Sequence, residues 1–147
     1  MSDDPFDLER FVTAQNGRVV GDATAYEAAI GELRAGRKHT HWIWFVFPQL
    51  AGLGTSDMAI KYAIANSDEA RAYVAHPLLG ARLRECCEAM LAAESDSATA
   101  ILGTPDDLKL RSSMTLFAAY SDDPIFQQVL DRFFDEMIDQ RTIELLG

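Results

Sequence analysis

The chain predicts an all-α fold, a compact single domain of about seven or eight mostly short helices around a central aromatic segment. Three observations carry that prediction. Apolar residues recur at three- and four-residue spacing through most of the 147 residues, the period of helices with one buried face. Helix-start signatures, an acid or hydroxyl followed by proline, stand before several of these runs. The one stretch rich in strand formers, His41 to Phe47, finds no second such run to pair with.

Taken in order, Asp3 and Asp4 precede Pro5, and Phe6, Leu8, Phe11, Val12 and Gln15 follow at helical spacing until Gly17. Asp22 or Thr24 caps a second helix holding Tyr26, Ile30 and Leu33, closed by Gly36, with Arg37 and Lys38 at its negative end. His41 to Phe47 reads either as a buried strand or as a buried helix capped by Thr40. The missing partner strand favours the helix, and Pro48 ends it. After the loop carrying Gly52 and Gly54, Ser56 starts a short helix through Ile64, and Ser67 caps one running to about Ala75. His76-Pro77 opens a long amphipathic helix containing Leu79, Leu83, Cys86, Cys87 and Met90. Ser97 opens a short helix ending at Gly103. Thr104-Pro105-Asp106-Asp107 starts the next, with Leu110, Met114 and Phe117. Asp123-Pro124 starts another through Ile125, Val129, Phe133 and Met137, and a short turn spans Thr142 to Leu146. No internal repeat or linker divides the chain, so residues 1–147 read as one domain.

The formal charge of −10 argues against nucleic acid and anionic membranes, which need a basic footprint. No run of 18 apolar residues spans a bilayer, and the acidic N-terminus is unlike a secretory signal. A cytoplasmic protein is the simplest expectation. Adjacent Cys86 and Cys87 do not staple a fold and read as reduced, buried thiols. Arg34, Arg37 and Lys38 lead into the central stretch, so a small anionic ligand there remains compatible with the acidic total.

The residues able to carry chemistry cluster around that stretch. His39 and His41 share a face only on extended backbone, and nothing completes a metal set with them, so no metal or cofactor is expected. Trp42, Trp44, Phe45 and Phe47 fill a core or line an aromatic pocket. Gln15, Lys38, His41 and Gln49 are candidates to converge with the glycine loop, whose amides suit an anion, although the loop is no phosphate fingerprint. A second polar cluster, Asp107, Lys109, Arg111, Ser112, Ser113 and Thr115, lies on one helix. There, mid-helix serines mark close packing or a polar contact, and Lys109 and Ser113 share a face.

Several motifs resemble the bacterial family grouped as domain of unknown function 1810. They are Gly36-x-Lys38-x-x-His41-Trp42-x-Trp44-Phe45-x-Phe47-Pro48-Gln49, Gly52-Leu53-Gly54, and His76-Pro77-x-Leu79-Gly80-x-Arg82-Leu83. Asp107-x-Lys109-Leu110-x-Ser112-Ser113-Met114-Thr115-Leu116-Phe117 and Asp139-x-x-Thr142 extend the match. The resemblance implies a compact helical domain and no established activity. It also singles out Gln15, Lys38, His41, Gln49, His76, Arg82, Asp107, Lys109, Ser112, Ser113 and Thr115 as a shared polar surface or cleft. Two functions are open. One is a cleft for a small, anionic or nucleotide-like compound, floored by Trp42 and Trp44, with His41 or Asp107 as general acid or base if it is an enzyme. The other is a protein-interaction module without chemistry, anchored by exposed aromatics.

Overall fold

The computed structural model describes residues 4–147, and of Val19 and Val20 the backbone alone. Ten helices are present among the described residues: α1 (Glu9–Asn16), α2 (Ala25–Ala35), α3 (Ile43–Val46), α4 (Asp57–Lys61), α5 (Ser67–Ala75), α6 (Pro77–Ala92), α7 (Ala98–Leu102), α8 (Asp106–Ala119), α9 (Ile125–Phe134) and α10 (Gln140–Leu146). A small antiparallel ribbon, β1 (Arg18–Val20) with β2 (Ala23–Thr24), joins α1 to α2. The fold is all-α in substance. The ten helices exceed the expected seven or eight; three of them, α3, α4 and α7, are elements of only four or five residues.

The helix ends show where local chemistry decides. Thr24 and Glu27 form a reciprocal capping box at α2, and Gly36 closes that helix in the left-handed region at φ 82°. The α1 start differs from the position after Pro5. The Asp4 carboxylate accepts from the Leu8 and Glu9 amides at 2.7 and 2.9 Å, which moves the first helical turn to Glu9. Asp3, part of the same expected start, lies outside the described residues. At α5 the cap is Asn66, whose Oδ1 accepts from the Glu69 amide at 3.0 Å, and Ser67 is the first helical residue. Thr104 does not cap α8. Pro105 occupies that place, and the acids Asp106 and Asp107 face the positive helix end. The short turn expected after Thr142 is a full helix, capped by Asp139.

The central stretch resolves into a single turn of helix, α3, set into the core. Trp42 and Phe47 are buried, while Trp44 lies at the edge. Thr40 does not cap it. Instead Glu32 of α2 gathers the incoming loop, accepting from the His39 and Thr40 amides, the Thr40 hydroxyl and the Trp42 indole at 2.6–3.1 Å. A chain of rings runs through the core from Phe11 to Tyr73, Phe117 and Phe126, with centroids 5.0–5.7 Å apart. It ties α1, α5, α8 and α9 together. Each buried ring contributes about 1.5–3 kcal/mol by area. The α5–α6 corner is tight enough to demand glycine: a Cβ at Gly80 would meet the Val74 carbonyl oxygen at 2.1 Å.

Helix α8 is the centre of the arrangement, packing against α9, α5, α7, α10 and α3. Its buried residues include Leu110, Met114 and Phe117 but also Asp107, Ser112, Ser113 and Thr115. That explains why its sequence shows no clean apolar stripe. One face of its N-terminal half stays open, and there the cleft lies.

Candidate functional site

About 100° of rotation separates successive residues on a helix, so Leu108 and Ser112 share one face of α8 while Lys109 and Arg111 flank it on opposite sides. Opposite this face stand Gln49, Leu53 and Gly54 of the glycine loop, with Asp139 and Arg141 at the start of α10. The space enclosed is about 300 Å³. Its lining is apolar at Leu53, Pro105 and Leu108, and cationic at Lys109, Arg111 and Arg141.

The charges are unevenly matched. Asp106 is shared by two lysines, with Lys38 Nζ at 3.0 Å and Lys109 Nζ at 3.4 Å. Lys38 is itself almost wholly buried. It lies 5.1 Å from the Trp42 ring centroid, and Lys109 lies 5.5 Å from that of Trp44. Arg111 approaches Asp139 only at 3.8 Å, and its Nε is buried without a hydrogen-bond partner among the described residues. Arg141 donates to the Gly52 carbonyl at 3.3 Å, which pins the glycine loop to α10. Asp139 is largely engaged. One of its oxygens accepts from the Ser112 hydroxyl and from the Thr142 hydroxyl and amide, while its own amide donates to Thr115 Oγ1 at 2.9 Å.

The sequence-predicted residues distribute unequally over this geometry. Gln49 and Lys109 line the cleft. Lys38, Trp42 and Trp44 connect to it through the shared aspartate and the ring contacts. Ser113 lies behind it, fully buried, and neither its hydroxyl nor the buried Trp44 indole N–H has a hydrogen-bond partner among the described residues. Asp107 turns away, accepting from the Thr99 hydroxyl at 2.6 Å and the Leu108 amide at 2.9 Å.

Gln15 and Arg82 belong to a separate network. The Gln15 amide donates to the Phe45 carbonyl and the Tyr73 hydroxyl, and accepts from Arg82. Arg82 stacks over Tyr26, whose hydroxyl donates to Glu85. Burial and that carboxylate push the Tyr26 hydroxyl well above its ordinary range. His76 caps α6 through Nδ1, which accepts from the Leu78 and Leu79 amides at 3.2 Å. His41 is exposed.

Arg141 and Asp139 were not singled out as cleft residues by pattern. Arg111 was, but only as one of a polar group on its helix. Placing α8 on a helical wheel identifies its flank; Arg141 becomes visible only once α10 docks. Two other hollows carry less chemistry. One of about 190 Å³ beside Leu50, Asn66 and Tyr120 has no ionised side chain. One of about 530 Å³ at the ends of α2 and α6 is lined largely by small residues, with Arg34 and Glu94 of opposite sign.

Among the described residues, no group of three or more histidine, cysteine, aspartate or glutamate side chains is placed to hold a metal ion. Cys86 and Cys87 are free and buried. Burial pushes the Cys86 thiol up to about 12 and the Cys87 thiol well above its ordinary value, which suppresses nucleophilic thiolate. No described helix is long and apolar enough to cross a membrane.

Comparison with known proteins agrees with this architecture. The crystal structure, at 1.38 Å, of the conserved hypothetical protein Rv1873 from Mycobacterium tuberculosis is similar over 97% of this chain and 98% of that one. The two are 49% identical, with a TM-score of 0.91. No curated protein matches the chain. The model of the family described as "Protein of unknown function (DUF1810)" matches residues 5–146, and the chain belongs to that family.

Proposed function

We propose that this protein binds a small anionic compound in the cleft between the N-terminal half of α8, the glycine loop and the start of α10. The observation that carries this reading is the cleft wall itself, where Lys109, Arg111 and Arg141 face one lining carboxylate, Asp139, and Arg111 comes no nearer to it than 3.8 Å. Ammonium and guanidinium groups that outnumber the carboxylates of an open wall are available to pair with an anionic solute. A basic cleft in a chain of net charge −10 also concentrates anions locally against the overall field. The volume, at the small end of ligand pockets, favours a compact molecule.

The acidic total argues against nucleic acid or an anionic membrane as partner, and buried free thiols suit a reducing, cytoplasmic setting.

A thermal-shift screen against small phosphates and carboxylates tests the reading. Ligand at one hundred times its Kd adds about 2.7 kcal/mol of stability. The expected result is a shift in the wild type that disappears in Lys109→Met and Arg111→Met. A hit unaffected by either substitution would place the binding elsewhere.

A second reading rests on exposed apolar side chains on the bordering segments. Leu108, Met137, Ile138 and Leu145 are 49%, 62%, 41% and 47% exposed. They favour a protein partner covering the same rim. Recovery of a partner that Met137→Asp and Ile138→Asp abolish, with small-anion shifts unchanged, would support it.

A further inference from the structure

Resting on the anion-site reading, we propose that the ligand of this cleft is a small organic dianion, with its charged end between Lys109 and the two arginines and its apolar body on Leu53 and Leu108. The argument is a charge count over the lining and the groups paired with it. Lys38, Lys109, Arg111 and Arg141 are cations, and Asp106 and Asp139 are their carboxylates, so two positive charges stay uncompensated. Asp107 is left out of the count because it does not line the space and is paired with none of these cations, its oxygens facing Thr99 and the Leu108 amide instead.

Geometry adds a second constraint. Lys109 and Arg111 lie on opposite flanks of the α8 face, with Leu108 and Ser112 between them, and Arg141 reaches in from α10. A singly charged carboxylate engages one flank and leaves the other unmatched. A phosphomonoester, whose oxygens radiate in several directions, or a compact dicarboxylate, engages both. The apolar side chains at Pro105, Leu53 and Leu108 offer an apolar surface for a short carbon skeleton, and about 300 Å³ limits its length.

The lining has no histidine, so the second ionisation of a phosphomonoester, near pH 6 for phosphorylated side chains, can be used as an internal switch of ligand charge. Phenyl phosphate, benzoate and phthalate would be titrated against the protein at pH 5 and pH 7.5, by calorimetry and by tryptophan fluorescence, to which Trp44 with Lys109 over its ring contributes from the cleft edge. Benzoate, which gains no second charge over this range, corrects for pH-dependent changes that do not depend on the ligand's second charge. A second ligand charge at about 4 Å in a largely aqueous setting corresponds to roughly fivefold tighter binding.

The expected result is phenyl phosphate tightening about fivefold from pH 5 to pH 7.5 relative to benzoate, with Arg141→Gln compressing that ratio. Phthalate in place of phenyl phosphate as the tighter dianion would identify a dicarboxylate as the source of the charge. Equal affinity for benzoate and both dianions would overturn the charge count and leave the anion site standing. Failure of all three to bind the folded protein would remove both.

Discussion

The Gln15 network and the Arg111 cleft are made of similar side chains and differ in how completely they are paired. Gln15 is buried to 1% exposure, and each of its amide atoms has a partner: the Phe45 carbonyl at 2.7 Å, the Tyr73 hydroxyl at 3.3 Å and Arg82 at 3.2 Å. Arg82 in turn reaches Asn16 at 3.0 Å and covers the Tyr26 ring. Around Arg111 the same chemistry is left open, with one buried N–H unmatched and one distant carboxylate. A satisfied buried network fixes one packing of its helices. An unsatisfied one at a cleft wall contributes little to folding and keeps its donors for something else. Polarity alone does not separate the two; pairing does.

The largest effect that would break this distinction is at Gln15. Gln15→Ala removes the amide, leaves the Phe45 carbonyl, Tyr73 hydroxyl and Arg82 short of partners, and opens a void between α1 and α5. The expected loss is about 2–4 kcal/mol, combining the cavity with unpaired buried groups. Urea unfolding followed by circular dichroism measures it. A loss under about 1 kcal/mol would mean that the network is not structural, and the contrast with the cleft would collapse.

A smaller effect sharpens the paired side. Burial alone would raise the Glu32 carboxyl, but hydrogen bonds from the Thr40 hydroxyl and amide, the His39 amide and the Trp42 indole outweigh it and hold it below its ordinary value. The sign follows directly. A carboxyl lowered on folding adds stability that is present above its unfolded value, near 4.5, and is lost as pH falls through the lower folded value. Glu32→Gln should therefore cost about 1 kcal/mol at neutral pH and flatten the acid limb of the stability profile below pH 4.5. An acid limb identical to wild type would mean the carboxylate does not hold the entry to α3.

Much of this fold is legible along the chain because helices are local. The capping box at Thr24, the glycine stop at Gly36 and the proline start at Pro77 need only neighbours. The signals fail where a partner distant in sequence decides. At α5 a local signal does exist, since Asn66 has Glu69 at the third helical position where Ser67 has only Ala70, but Glu69 also answers to a distant partner, Arg10 of α1 at 2.9 Å. The β1–β2 ribbon, of three and two residues, is too short for periodicity to register. Glu32 looks like any helical acid until the loop from His39 to Trp42 folds over it. Along the sequence the two tryptophans of the central stretch look equivalent, yet Trp42 is core while Trp44 meets Lys109 at the cleft. Half of the cleft wall comes from α8 and is traceable on a helical wheel. Of the rest, Gln49, Leu53 and Gly54 belong to the glycine loop that the sequence already marks, while Asp139 and Arg141 arrive only through the docking of α10.

The smallest expected change in stability is at Arg111, and it bears hardest on the comparison. Replacing a well-paired buried arginine strands its carboxylate partners and costs about 3–5 kcal/mol. Arg111 has no such partner to strand: Asp139 keeps its hydrogen bonds to Ser112 and Thr142 whether or not the guanidinium is there. Arg111→Met retains the side chain's apolar stem and removes an unmatched buried N–H. The melting temperature should therefore stay within what about 0.5 kcal/mol allows, or rise. The same variant should lose the stabilisation that small anions give the wild type. Unchanged stability with lost anion response separates a residue kept for a ligand from one kept for the fold. A loss of 2 kcal/mol or more would place Arg111 with Gln15 instead, as a packing residue whose role is to hold α8 against α10.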